Sequence, residues 1–193
     1  MQDFQKLRMK AQRMAYEAHS GQKYGGRHYV LHLYDAALVL AEFGFSPYMA
    51  DEDQQHHMQC IAIAVFLHDI IEDTDFAYKD VRKEFGDEVA DIVWAVTDEP
   101  GRNRKERHAK TYPKIKADWR AMAVKLADRV ANVRNCLNEN PRLLGMYVRE
   151  WPEFKQALAT PAEERRPQIE AMWAHLESLL GPYAARDTGA ENT

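Results

Sequence analysis

His68-Asp69 closes a run of apolar residues, 61–67, and Ile70-Ile71-Glu72-Asp73-Thr74 follows at once. Burying an unpaired carboxylate costs several kcal/mol or forces it to protonate, so apolar segments normally exclude charge. An imidazole and three carboxylates at the end of a buried helix make sense if a cation neutralises them. Two further residues could complete its ligand set: His32 in Tyr29-Val30-Leu31-His32, and Asp128 in Val124-Lys125-Leu126-Ala127-Asp128-Arg129. Two imidazoles and two carboxylates form a mixed N/O set suited to Mn²⁺, Fe²⁺ or Zn²⁺, and the lack of thiolates argues against a structural zinc knot. Such an ion can polarise a phosphoryl oxygen or acidify a bound water. Glu72 and Asp73, one turn beyond, are placed to handle protons. Taken singly, each residue also has a plainer reading. His32 could be a half-buried histidine, Asp128 an ion-pair partner of Arg129 or Arg134, and Glu72-Asp73 the start of a turn that caps the next helix.

The elements that must position these groups read as helices. Phe4, Leu7, Ala11, Met14 and Ala18 recur at helical spacing, predicting an amphipathic helix that ends near Gly21. A loop with Gly25-Gly26 leads to a second helix over residues 31–43, ended by Gly44 and Pro47. A third helix is expected over residues 51–71; it turns apolar on all sides from Cys60 onward, as a central, wrapped helix would. Shorter helices carry Val81 and Phe85 up to Gly86, then Val89, Ile92, Val93 and Val96. Pro100-Gly101 breaks the pattern before a basic run, residues 102–110, any one member of which could equally be a solvated helix face. Over residues 119–137, Leu126, Val130, Val133 and Leu137 form an apolar stripe, and Lys125, Asp128, Asn132 and Asn135 form a polar row beside it. Pro141, Pro152, Pro161 and Pro167 are expected to divide the remainder into shorter helical pieces, with Gly181-Pro182 as the stop. Period-2 strands and internal repeats are not evident. The expected fold class is all-α: one helical bundle of about eight to ten helices over residues 1–183, with residues 184–193 a flexible tail.

The totals narrow the functional classes. A chain of 193 residues, 46% of them hydrophobic, can bury a core without disulfides or structural metal. The net charge of −4 argues against general nucleic-acid binding while leaving room for a local basic pocket. Cys60 and Cys136 lack CxxC spacing and read as reduced, buried thiols. No signal-peptide pattern opens the chain, and no apolar run approaches the roughly 20 residues of a membrane span. A cytoplasmic protein without membrane or nucleic-acid partners is expected.

The segments Ala18-His19-Ser20-Gly21-Gln22, Tyr29-Val30-Leu31-His32, Leu67-His68-Asp69-Ile70-Ile71-Glu72-Asp73-Thr74, Phe85-Gly86, Val96-Thr97-Asp98 and Val124-Lys125-Leu126-Ala127-Asp128-Arg129-Val130-Ala131-Asn132 occur in this order across residues 10–150. Together they resemble the HD-domain phosphohydrolases, and more narrowly the hydrolase domain of RelA/SpoT homologues in its stand-alone small alarmone hydrolase form. The resemblance implies one Mn²⁺ per chain, held by His32, His68, Asp69 and Asp128, with Glu72 and Asp73 as the acidic pair serving the attacking water. It implies removal of the 3′-pyrophosphate of guanosine tetra- or pentaphosphate to give GDP or GTP. Lys23 and Asn132 fall on nucleotide-site positions; Tyr24, Lys125 and Tyr147 join them as candidate substrate contacts, and at least one of Arg102, Arg104 and Arg107 is expected to face phosphate. A guanine nucleotide is the expected partner, and a homodimer is left open. In two places the chain departs from the family pattern: Leu33 follows His32 where proline is usual, and Tyr24 replaces a second basic residue, which Arg27 or the 102–110 run would have to offset. Tyr24 therefore keeps open another nucleotide substrate, such as a nucleoside monophosphate or the 2′-phosphate of NADPH; a silent nucleotide-binding regulator is a separate alternative.

Overall fold

The computed structural model describes residues 2–24, 26–48, 51–161 and 164–187. Among these the chain forms ten helices and one small hairpin: α1 (Gln2–Ala18), β1 (Lys23–Tyr24), β2 (Arg27–His28), α2 (Val30–Glu42), α3 (Glu52–Leu67), α4 (Ile70–Asp73), α5 (Tyr78–Phe85), α6 (Asp87–Val96), α7 (Arg104–Ala117), α8 (Trp119–Glu139), α9 (Pro141–Ala157) and α10 (Pro167–Asp187). The all-α expectation holds. None of the described helices is long and apolar enough to cross a membrane.

Polar residues at the helix starts explain several boundaries. Asp51, Asn103 and Asp118 each accept a hydrogen bond from a backbone N–H of the first turn that follows, capping α3, α7 and α8. Asn140 does the same for α9, with Pro141 at the first helical position, where its missing N–H costs nothing. Gly86, at φ +86°, ends α5 and allows the chain to restart as α6 at the next residue.

At the centre lies α8, packed against α2, α3, α6, α7, α9 and α10. Twelve of its residues are buried, among them Asp128 and Arg129. The expected central helix, α3, is also wrapped, by α1, α2, α6 and α8. Its apolar end inserts Ile61, Ile63, Phe66 and Leu67, each no more than 3% exposed. The start of α2, the end of α3 and the middle of α8 thus meet in one core, and Asp128 of the α8 polar row faces the end of α3.

Four expectations need correction. The third helix does not run unbroken over residues 51–71: α3 stops at Leu67, and Asp69, at φ −102° and ψ 0°, bends the chain before α4. Two short strands do occur, pairing Lys23 with His28 and Tyr24 with Arg27; four residues are too few to show alternation. Pro152 does not divide the chain, because α9 continues through it while Val148, Trp151, Phe154 and Leu158 are buried on one side. An interior proline costs about 3 kcal/mol, which burial of these large side chains offsets. For the same reason α10, anchored by buried Met172, Leu176 and Leu180, passes through Gly181-Pro182 to Asp187. Residues 184–187 of the expected tail are therefore helical, and 188–193 lie outside the described residues.

Candidate metal centre and catalytic cleft

His32 enters from the first turn of α2, His68 and Asp69 from the bend after α3, and Asp128 from the middle of α8. His32 Nε2 lies 3.2 Å from Asp128 Oδ1. His68 Nε2 lies 2.9 Å from Asp69 Oδ2 and 3.7 Å from Asp128 Oδ1. The ligand atoms of His32, His68 and Asp128 all fall within 4.8 Å of one another, and all three residues are buried. Asp69 completes the group at its more open edge, where the Tyr29 hydroxyl donates to its carboxylate.

The tautomer of His68 is fixed from behind. Its Nδ1–H donates to the Val65 carbonyl at 2.8 Å, so Nε2 turns its lone pair toward the two carboxylates. That buried Nε2 makes no hydrogen bond among the described residues. A lone pair facing two carboxylates inside a core is repelled by them unless a cation lies between. The donor set and this orphaned nitrogen together fit a divalent metal ion. The local field says the same. Burial disfavours the His68 imidazolium, but Asp69 and Asp128 outweigh it and push His68 well up. Burial likewise opposes ionisation of Asp128, yet Lys125, His32 and His68 hold it well below the usual carboxylate range. A field that binds a proton this strongly also attracts a metal cation.

A cleft opens over the cluster. Its lining includes Tyr24, Tyr29, Glu72, Asp73, Asp98, Arg104, His108, Lys125, Arg129, Asn132 and Tyr147. The Glu72 carboxylate accepts from the backbone N–H of Asp98 at 3.1 Å, and Arg107 lies 3.8 Å from it. Burial, then the charge of Asp98, raise the Glu72 pKa; burial and Asp69 raise that of Asp73. Both carboxyls are therefore better bases than free ones. On the α8 row, Lys125 Nζ donates to Asp128 Oδ2 at 3.2 Å and the Asn132 amide donates to Asp128 Oδ1. Arg104 and Arg129 share Glu150 of α9, and the Arg129 guanidinium stacks 4.2 Å over Phe154 and 4.7 Å over Tyr147. Lys125, Arg104 and Arg129 are the lysine and arginines of a lining that also carries Asp69, Glu72, Asp73, Asp98 and Asp128.

The structure gathers most of the sequence-derived candidates and leaves some out. His32, Asp69, Glu72, Asp73, Asp128, Tyr24, Lys125, Asn132, Arg104 and Tyr147 line the cleft, and His68 lies beneath it. Lys23, exposed on β1, is not on the wall. Neither is Arg102, which projects into solvent and pairs with Glu106. Arg27 turns away to Asp35, and Asn135, though on the polar row of α8, joins that same separate surface. Tyr24 packs its ring 5.3 Å from that of His32 and buries its hydroxyl, so an aromatic face stands where a second cation was expected. Tyr29, Asp98, His108 and Arg129 escaped the sequence reading as site residues. A signal existed for two of them: Tyr29 lies three residues before His32, and His108 four after Arg104, the spacing of a shared helix face. Arg129 enters the sequence reading only as one of two alternative ion-pair partners of Asp128, and adjacent residues on a helix do not face each other.

Known proteins resemble this chain in sequence and in fold. The guanosine-3′,5′-bis(diphosphate) 3′-pyrophosphohydrolase of Aquifex aeolicus (strain VF5) is 35% identical over 130 residues, 65% of this chain and 17% of that protein. The Drosophila melanogaster guanosine-3′,5′-bis(diphosphate) 3′-pyrophosphohydrolase MESH1 is 37% identical over 82 residues, 42% of this chain and 46% of that one. The bifunctional (p)ppGpp synthase/hydrolase SpoT of Escherichia coli (strain K12) is 32% identical over 154 residues, 76% of this chain and 20% of that protein. Each match thus spans less than half of the relative's length. Among solved structures, a metazoan orthologue of SpoT described as hydrolysing ppGpp superposes with a TM-score of 0.67 at 24% identity, covering 89% of this chain and 94% of that one. A protein of Listeria monocytogenes EGD-e does so with 0.57 at 23% identity, covering 78% and 99%. At these identities the two structures speak for the fold. The sequence profile of the HD domain matches residues 11–150, well over half of the chain, and the chain belongs to that family.

Proposed function

We propose that this protein is a metal-dependent hydrolase that removes the 3′-pyrophosphate from guanosine tetra- or pentaphosphate, releasing pyrophosphate and GDP or GTP. The observation that carries the reading is the orphaned Nε2 of His68, set among His32, Asp69 and Asp128 and flanked by a basic acid pair. His32, His68, Asp69 and Asp128 would hold one Mn²⁺, which when bound lowers the pKa of water and polarises the phosphoryl group. Glu72, kept basic by burial and tied to the Asp98 N–H, accepts the proton of the attacking water. Asp73 orients that water from the same short helix. Lys125, Arg104 and Arg129 face the charge of the pyrophosphate. Asn132, Tyr24 and Tyr147 remain for the nucleoside, the two tyrosines offering ring faces for stacking. Residues 1–183 would act as one catalytic unit in the cytoplasm. The pairing of a guanine nucleotide with this cleft is supported by the named relatives, each a hydrolase of that substrate.

Tyr24 favours a second reading in one respect. An aromatic ring in place of a cation weakens the claim of a highly charged substrate and suits a less charged nucleotide, such as a nucleoside monophosphate or NADPH through its 2′-phosphate. Pyrophosphate and phosphate release should be measured with and without Mn²⁺ on guanosine tetraphosphate, pentaphosphate, GMP and NADPH. Mn²⁺-dependent pyrophosphate release from the first two is the expected result. Turnover confined to GMP or NADPH would move the assignment, and tight alarmone binding without product would make the protein a regulator.

A further inference from the structure

A second cluster of ligand-type side chains lies away from the cleft, between α3 and α6. His56 and Cys60 stand four residues apart on α3 and so share one face of that helix. Glu88, in the first turn of α6, reaches the same point from the neighbouring helix. His56 Nε2 faces both: it pairs with Glu88 Oε2 and lies 3.7 Å from Cys60 Sγ. All three ligand atoms fall within 4.8 Å of one another. The other oxygen, Glu88 Oε1, accepts from Arg120 Nη1 at 2.7 Å, and Asp118 holds Arg120 in turn at 2.9 Å. Glu88 is thereby aimed, with Oε2 left for the cluster.

We propose that His56, Cys60 and Glu88 form a second cation site, selective for a thiophilic divalent ion of the zinc class and distinct from the cleft. Tetrahedral bonds of about 2.3 Å to sulfur and about 2.0 Å to nitrogen separate the two ligand atoms by roughly 3.5 Å. The Cys60–His56 spacing of 3.7 Å is close to that value, and the His56–Glu88 contact must open to admit the ion. Charge closes as well. A thiolate and a carboxylate balance a divalent ion, the imidazole stays neutral, and Arg120 is already balanced by Asp118. Binding displaces the thiol proton of Cys60, which burial and then Glu88 otherwise hold up to about 11. Water would take the fourth position, since the His56 side chain is 61% exposed. Cys60 precedes His68 by eight residues, roughly 12 Å along a helix at 1.5 Å per residue, so the two centres do not share ligands. The ion would pin α3, which ends just before His68-Asp69, to α6, which leads toward Asp98.

Cobalt(II) tests this, because a thiolate–cobalt charge-transfer band can arise only from a site with cysteine and the cleft cluster has none. The full chain, stripped with chelator, is titrated with Co²⁺ and then with Zn²⁺ against a chromophoric chelator. The expected result is a near-ultraviolet thiolate band in the wild type and in Asp69→Ala, lost in Cys60→Ser. Zinc affinity at this site should fall at least tenfold in both Cys60→Ser and His56→Gln, the latter guarding against a folding defect at the buried position. Absence of the band in the wild type overturns the proposal. So does its persistence in Cys60→Ser, which would place the thiolate at Cys136, or its loss in Asp69→Ala, which would merge the two sites.

Discussion

His68 shows how one side chain is committed to its task from behind. With Nδ1–H given to the Val65 carbonyl, its other nitrogen has no protein donor to meet and faces carboxylates instead. Removing Asp69 breaks the cluster, whereas changing Glu72 touches only the groups beside it. Asp69→Ala should therefore lose both Mn²⁺ and turnover, while Glu72→Gln keeps the metal, measured by equilibrium dialysis, and loses roughly 10²–10⁴-fold in kcat, the range for a general base. Metal loss in the Glu72 variant would contradict the division of roles. Glu72 also carries a stability signature. Its pKa is raised in the folded state, so it favours folding fully only below its unfolded pKa, and that contribution is lost as pH rises through the folded value. At neutral pH in chelator its buried charge is then a cost, and Glu72→Gln should raise the urea midpoint, with the gain vanishing below the unfolded pKa. Both residues were legible in the sequence because charge at the end of an apolar run is conspicuous. Arg129 was not, since an arginine on a helix has an ordinary surface reading.

At the scale of elements, the cleft is a product of helix ends and of one bend. Asp69 breaks what the periodicity reads as a single helix, and that bend turns Glu72 and Asp73 toward the cluster instead of continuing them along α3. The placing of the two arginines depends on α9, which supplies Glu150 to hold Arg104 and Arg129 and supplies Phe154 as the surface under Arg129. Phe154 is fully buried and packs edge-on against Tyr112 and beside Trp151 and Trp173. Truncation to alanine should cost about 3–5 kcal/mol, from lost burial and the cavity left behind. Calorimetry checks it; a loss below about 1 kcal/mol, within the range of ordinary surface substitutions, would mean that α9 is not anchored there. Helix α9 is also where the sequence misled. Pro152 reads locally as a stop, and only the burial of residues on both sides of it shows why the helix continues.

For the whole molecule, three separate helix regions contribute to the cluster, so metal binding and folding are linked. An ion that binds the folded chain alone stabilises it by about 2.7 kcal/mol at a hundredfold excess over Kd. Adding Mn²⁺ to chelator-treated protein should therefore raise Tm, by several degrees in the wild type and not at all in Asp69→Ala. An equal shift in both would place Mn²⁺ elsewhere. With a net charge of −4 overall, the cleft still carries Lys125, Arg104 and Arg129 among its carboxylates. Any attraction of a polyanion by those cations is local, acting within a Debye length of about 10 Å at 0.1 M salt.

The sequence by itself determined the all-α class, the metal-ligand candidates and the acidic pair. Helical periodicity is a local property, and charge among apolar residues stands out without any knowledge of neighbours. Only the tertiary structure decided which cations face the cleft, because that depends on partners distant in sequence. Arg104 is drawn to the wall by Glu150, Arg102 is held outside by Glu106, and Arg27 is turned away by Asp35. It also decided that His56 and Cys60 meet Glu88. Spacing along one helix sets two of those ligands side by side, and only the packing of α3 against α6 brings the third.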